Sequence, residues 1–507
     1  MLIIGHRELW GWPVRVFLYS ATLATAIIGF LREVILADQF GASGTTDVFF
    51  YVFGLINALS ELVFSGAIVA VIVPILSEMQ KRDAPPKDFQ QFVLSMIIVV
   101  AATASFFALL VKFSIDLWIE FFAPKMPNPQ VLHAQFLSNI LIWLVPASAL
   151  VSLLSNILNG LGYFVASAFG FLINNILFLI VLVVLAPSIG ENALPFAALA
   201  GPLVMISMLF FECWRHRIIR WHIPKVDEIM LARVWRLAAP VVLTLGVGSF
   251  IGLLLTAHFI IRSTAAGYGE GSIAALAYAF RLYEVPISLV VNPLALLLFP
   301  LISGYFASGQ RNDLVIICRR LIVWGLLLLT PLVIAFWFGS DEIVRILLQR
   351  GRFGEREVAQ TSAALKGFAP AIVFESLLVV FFRVFYALQR PVVPVFASLI
   401  ALSVLLLLCF ALPNSELTLL TLSLSFSFLM GAGVLLFALS RQLGMDALPS
   451  KQALFAFIVT LVGAVGTSWI GFIFLGGGPV QHLVLLSLFG ATYVLIAFAM
   501  RRQMFEA

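Results

Sequence analysis

An all-α polytopic membrane protein is the fold the sequence predicts, with about 14 transmembrane helices forming two six-helix lobes in a parallel repeat around a central cavity, plus two C-terminal helices. Three observations predict it. Hydrophobic residues make up 62% of the 507-residue chain and charged residues 11%, with a mean hydropathy of +1.09. A soluble domain carries about 25% charged and about 45 to 50% apolar residues, so this chain has too little polar surface to dissolve. Apolar stretches near the roughly 20 residues needed to cross the hydrocarbon layer recur along its whole length. The two halves of the chain also match each other at one offset.

Polar residues and Gly/Pro breaks divide the chain into spans at 13–38, 47–77, 89–114, 131–158, 163–187, 193–214, 230–261, 273–305, 313–339, 357–388, 392–412, 416–440, 452–475 and 480–500. The breaks near 160 and 390 are the shortest. No short leader stands ahead of a polar mature chain, so the first helix is expected to be retained. With the N-terminus in the cytoplasm, the larger share of the 30 basic residues falls on cytoplasmic ends, including Lys81, Arg82, Arg215, Arg217, Arg220, Arg319, Arg320, Arg501 and Arg502. The opposite face holds chiefly Arg345, Arg350, Arg352 and Arg356 of one loop. That asymmetry supports both termini in the cytoplasm. The net charge of +5 then suits anionic lipid headgroups, and no nucleic-acid surface is suggested.

The repeat rests on two matches. VFGLINALSELVFSGAIVAVIVPILS (52–77) lies against AFRLYEVPISLVVNPLALLLFPLIS (279–303), pairing Phe53 with Phe280 and Pro74 with Pro300. LNGLGYFVASAF (158–169) lies against FYALQRPVVPVF (385–396), with Leu161 over Leu388. Both copies start on the same side of the membrane, so the lobes are expected at 1–228 and 229–446, with the C-terminal pair at 447–507. Such lobes enclose a cavity that can face either side in turn.

Ionisable residues inside spans are costly and by default face a bundle interior or an aqueous cavity. Here they are Arg32, Glu33, Glu61, Arg281, Glu284, Lys366, Glu375 and Arg383. Arg32 and Glu33 are adjacent, so on a helix they point about 100° apart and are not expected simply to neutralise each other. Arg32 either snorkels to the outer interface or faces the cavity and holds an anion. Arg281 and Glu284 stand three apart on one face, the spacing of an internal salt bridge. Against that stands the depth of Arg281, since an arginine kept so far inside can offer its planar fork to phosphate oxygens. Arg383 lies near a cytoplasmic end and is expected to snorkel, and Glu61 has no evident partner in its own helix. The loop GSDEIVRILLQRGRFGERE (339–357) carries an amphipathic stretch that suits an interfacial helix and includes Arg352, a candidate gating residue.

Catalytic chemistry has no constellation. There is no G-x-x-x-x-G-K-[ST] for a nucleotide, and Cys213, Cys318 and Cys409 show no C-x-x-C spacing for a metal or a disulfide framework. A transporter rather than an enzyme is expected, with no cofactor and with coupling to the membrane potential or a monovalent cation.

The run GFLREVILADQFGASGTTDVFF (29–50), followed by VPILSE, resembles the first two helices of the MviN/MurJ family of lipid II flippases, within the multidrug/oligosaccharidyl-lipid/polysaccharide exporter superfamily. YAFRLYEVPISLV with FPLIS (278–303), LLQRGRFGE (347–355) and FYALQRPVVPV (385–395) extend the resemblance over most of the chain. It implies a monomeric flippase of the bacterial cytoplasmic membrane. The cargo it implies is an undecaprenyl-pyrophosphate-linked saccharide, carried from the inner to the outer leaflet for peptidoglycan synthesis. Membrane lipids and glycan-synthesis enzymes are the implied partners. In the family, cavity arginines bind the pyrophosphate and the last two helices form a lipid-tail groove. By position, Arg32, Arg281, Glu284, Asn57 and Asp47 match the family's pattern and are the implied substrate residues, with Glu61, Arg352 and Arg383 as coupling or gating candidates. The chain departs from the pattern at four positions: Ala26 stands where the family commonly has an arginine, Ser60 and Glu61 replace two more, and Ser65 replaces a glutamate. A flippase for another lipid-linked glycan, such as an exopolysaccharide, capsule or O-antigen unit, therefore stays open. So do a cation-coupled drug antiporter and a non-transporting scaffold.

Overall fold

The computed structural model describes residues 12–60, 75, 79, 86–122, 126–220, 250–412, 416–475 and 490–496. Every regular element among them is helical. In hydrocarbon each backbone N–H and C=O must be satisfied within the protein, and a helix does this inside a single segment. Among the described residues, seven helices are long and apolar enough to cross a membrane, or eight if one bent pair counts as a span. Parts of the spans expected at 47–77, 230–261 and 480–500 lie outside the described residues.

The chain divides into two compact units, Met1–Leu36 with Ser43–Phe259, and Ala37–Ala42 with Ile260–Ala507. The lobe boundary read from the repeat, 228/229, falls outside the described residues.

The first unit contains most of α1 (Trp12–Phe40), then α2 (Gly44–Ser60), α3 (Pro86–Phe113), α4 (Ile115–Phe122), α5 (Asn128–Leu141), α6 (Leu144–Gly160), α7 (Phe164–Ile189) and α8 (Ala193–Arg215). The span expected at 131–158 is α5 and α6 in succession, broken at residues 142–143. The short α4 was not anticipated, because its eight residues merge with the apolar run before them. α7 and α8 lie close because α8 presents Gly201, where a Cβ would come 2.2 Å from Asn174 Oδ1. Small residues at such contacts let backbones approach, which is how helices associate where burial from water offers little drive.

In the second unit, α9 (Phe250–Ala265) contributes its end, and α10 (Ser272–Pro286) runs through a π-helical turn at Ile287–Val291 into α11 (Asn292–Ala307). Pro286 and Pro293 each lack an N–H, so an α-helical register cannot be kept across this stretch. There follow α12 (Arg311–Phe338), α13 (Ser340–Leu348), α14 (Glu355–Phe368), α15 (Ala371–Ala387), α16 (Val392–Ala411), α17 (Leu417–Leu443) and α18 (Lys451–Leu475). α14 and α15 bend by 46° relative to each other beside Pro370, which ends the α14 register. α14 sits against α17 through Gly367, whose missing Cβ would lie 2.0 Å from Thr421 Oγ1. Ser425 Oγ donates to the Gly367 carbonyl at 2.7 Å and Thr418 Oγ1 to the Ala363 carbonyl at 3.0 Å. The amphipathic stretch in the outer loop does form a helix, α13, and it buries Val344 and Leu348 against its own unit while Ile346 stays exposed.

Candidate functional site

Arg32 is built into the first unit. Its Nη2 donates to Glu33 Oε1 at 2.8 Å, its Nη1 reaches Asn175 Oδ1 at 3.5 Å, and its guanidinium lies 4.8 Å from the centroid of the Phe178 ring. The two neighbours therefore do pair, against the expectation that they would not simply neutralise each other. The arginine stem has enough rotatable bonds to fold its head across the 100° offset, and a buried Glu33 carboxylate has strong reason to be matched. The Arg32 side chain is 13% exposed, so it does not snorkel: its head is packed against α7. A guanidinium carries five N–H donors. Only two are engaged here, and Nε has no partner among the described residues. Neither Asn175 nor Phe178 was singled out from the sequence, although Asn174 and Asn175 form an amide pair well inside an apolar span.

Asp47 and Asn57 lie on α2. Asp47 is buried in the first turn, where a carboxylate meets the positive end of the helix dipole. The preceding GASGTT run starts that helix: the Ser43 N–H donates to Thr46 Oγ1 at 2.8 Å, and the Thr46 hydroxyl donates to the Ser43 carbonyl at 2.9 Å. Asn57 is half-buried. Ser60 is buried and donates to the Ile56 carbonyl of its own helix at 2.8 Å, so it contributes no charge. Glu61 and Ser65 lie outside the described residues.

In the second unit Arg281 and Glu284 form the salt bridge their spacing predicts, Nη1 to Oε2 at 2.9 Å. Their side chains are 40% and 35% exposed, so this pair, unlike Arg32, presents an open side. Arg262 of α9 lies 5.9 Å from the ring of Phe280 on α10, bringing a second guanidinium to the helix that carries Arg281. Arg383 is half-buried on α15, Glu375 is buried on the same helix, and Lys366 pairs with Asp341 at 3.3 Å.

A clasp closes around residues 37–42 within this second unit. The Arg352 N–H donates to the Asp38 carbonyl at 2.9 Å, and Tyr278 Oη donates to the Gly41 carbonyl at 3.1 Å. Gly351 (φ +53°) and Gly271 (φ +86°) face this segment so closely that a Cβ would lie 2.2 Å from the Asp38 oxygen and 2.4 Å from the Ala42 oxygen, respectively. Arg352 thus joins the clasp through its backbone, while its side chain is exposed. Among the described residues no three His, Cys, Asp or Glu side chains cluster as a metal site.

The family model described as "Lipid II flippase MurJ" matches residues 36–489. A probable lipid II flippase MurJ of Buchnera aphidicola subsp. Acyrthosiphon pisum (strain APS) is 26% identical over 393 residues, 75% of this chain and 74% of its own length. One of Aquifex aeolicus (strain VF5) is 26% identical over 375 residues, 73% of this chain and 71% of its own. Among solved structures, a lipid II flippase MurJ in an inward closed conformation superposes with a TM-score of 0.78 at 18% identity, over 96% of this chain and 99% of that one. An inward-facing multidrug resistance MATE family transporter superposes with a TM-score of 0.66 at 12% identity, over 88% of this chain and 96% of that one. These superpositions speak for the fold.

Proposed function

Because this chain belongs to the lipid II flippase MurJ family, we propose that it is a membrane transporter that carries lipid II from the inner to the outer leaflet for peptidoglycan synthesis. The observation that carries this reading is the family match across residues 36–489. In this reading Arg32 and Arg281 bind the pyrophosphate as the protein exposes its cavity to each side in turn. Both guanidinia stand next to a carboxylate, Glu33 and Glu284, that holds them when no substrate is present. A diphosphate then competes for donors already oriented, and charge-assisted bonds to its oxygens are the strong kind. Asn57 and Asp47 support the same site from α2, and Glu61, Arg352 and Arg383 serve coupling or gating. The bacterial cytoplasmic membrane is the setting, with both termini inside, a monovalent cation or the membrane potential as the driving force, and glycan-synthesis enzymes as partners of a monomer.

A second reading is favoured by one observation, the buried uncharged Ser60, at a position where the resemblance implies an arginine. There the cargo is another undecaprenyl-pyrophosphate-linked glycan. The test is rescue of a strain depleted of its lipid II flippase, together with flipping of lipid II by the purified protein in proteoliposomes. Rescue by the wild type, with a loss of about tenfold or more in flipping rate for Arg281→Ala, is expected from the 1.5 to 3 kcal/mol typical of a hydrogen bond to a charged group. Failure of the wild type to rescue or to flip lipid II would exclude it as cargo and direct the assay to other lipid-linked glycans.

A further inference from the structure

We propose that Phe178 and Asn175 of α7 are positioning residues that hold the Arg32 guanidinium on one face and one edge, leaving its remaining donors for a diphosphate. The inference rests on the reading of Arg32 as a substrate ligand and adds to it two residues on a different helix.

The positions 171, 175, 178 and 182 form one stripe of α7. Phe178 and Leu182 are buried on it, and Phe178 lies under the guanidinium at cation–π distance. One turn away, Asn175 Nδ2 donates to the Phe171 carbonyl at 3.3 Å, which turns the amide oxygen toward Arg32 Nη1 at 3.5 Å. The guanidinium plane is therefore set by the ring below it, by the amide at Nη1 and by Glu33 at Nη2.

The chemistry of the two α7 groups matters as much as their place. Both are neutral. With Glu33 already matching the single positive charge, a carboxylate at 175 would take up donors and repel an incoming phosphate, whereas an amide orients the head without opposing the anion. An aromatic face likewise attracts the guanidinium while using none of its N–H groups. A cradle built from one anion, one amide and one ring therefore fixes a fork that spends only two of its N–H groups on these protein partners.

The test compares binding of lipid II, and of undecaprenyl pyrophosphate without a saccharide, to the full-length purified protein. The variants are Phe178→Leu, Asn175→Asp and Arg32→Ala, together with the doubles that combine Arg32→Ala with each α7 change. Phe178→Leu keeps apolar bulk and loses the ring face, and is expected to weaken both ligands roughly two- to thirtyfold. Asn175→Asp is isosteric and is expected to weaken both by at least as much. On the Arg32→Ala background Phe178→Leu should have no further effect and Asn175→Asp only a smaller one, the direct repulsion of the phosphate, because the rest of each effect acts through that guanidinium. Equal losses with and without Arg32 would reduce the pair to packing between α1 and α7 and overturn the proposal. So would a loss confined to lipid II with undecaprenyl pyrophosphate unaffected, since the effect would then lie at the saccharide. Arg32→Ala binding like the wild type would instead remove Arg32 from the substrate site, a failure of the parent reading. Should Phe178→Leu not fold, as judged by thermal unfolding, Asn175→Asp and its double mutant carry the decision.

Discussion

Two arginine pairs show how far a single residue can be read from its neighbours in the chain. Arg281–Glu284 was legible because a three-residue spacing on a helix leaves little freedom. Arg32–Glu33 was not, since the pair forms only by folding the arginine stem over, and the groups that stabilise that conformation, Asn175 and Phe178, stand more than 140 residues away. Glycine adds a second case at this scale. Gly351 combines a positive φ with an Asp38 oxygen where a Cβ would go, whereas Gly309 (φ +70°) has open space around it. Gly351→Ala is expected to lower the thermal unfolding temperature of the purified protein clearly more than Gly309→Ala. The latter incurs only backbone strain of about 1 to 3 kcal/mol. Equal shifts for the two variants would mean that the clasp around 37–42 relaxes without cost.

At the scale of elements, helices were read well where one apolar run filled one span, and less well where a span is broken or bent, as at 142–143 and between α14 and α15. Hydropathy averages over such breaks, while backbone hydrogen bonding near a proline does not. The outer helix α13 is tied to the start of α14 by Arg345, which grips Glu355 with both terminal nitrogens, one of them at 2.8 Å, while Gln349 Nε2 adds a bond at 2.7 Å. The Arg345 bond first, then that from Gln349, holds the Glu355 carboxyl below its ordinary value of 4.5. A carboxyl lowered on folding stabilises the fold above its unfolded value, and that contribution is lost as pH falls through the lowered one. The wild type should therefore unfold at a higher temperature than Glu355→Gln near pH 7, by a small margin because the pair is exposed. That margin should shrink as pH drops below about 4.5. A pH-independent difference would show that the contact acts through shape alone.

For the whole molecule, the exposed surface is apolar in a manner no soluble protein tolerates. Phe113, Phe410, Leu407 and Val184 all stand largely exposed on long helices. Ile180, near the middle of α7, is 51% exposed. An arginine at the centre of a spanning helix costs about 2.5 to 3.5 kcal/mol on insertion. Ile180→Arg is therefore expected to reduce the amount of membrane-integrated protein severalfold, measured by quantitative blotting of washed membranes. Wild-type levels would mean that this face of α7 meets protein or water rather than lipid.

Composition and punctuation determined by themselves that the chain is a helical membrane protein, because an 11% share of charged residues cannot solvate a fold of this size and continuous apolar runs near 20 residues long suit spanning helices rather than the short alternating strands of a barrel. The run GFLREVILADQFGASGTTDVFF, together with the blocks at 278–303, 347–355 and 385–395, carried the resemblance to the family, since their glycines and charged residues stand at spacings that hydrophobicity alone does not select. Only the tertiary structure decided what surrounds each of those residues. It cut the run between two compact units, placing Arg32 in one and residues 37–42 in the other. The physical reason is range. Spacing along a helix reports contacts within a turn or two, whereas the orientation of a buried charge and the closeness of a glycine depend on side chains that the fold brings from far along the chain.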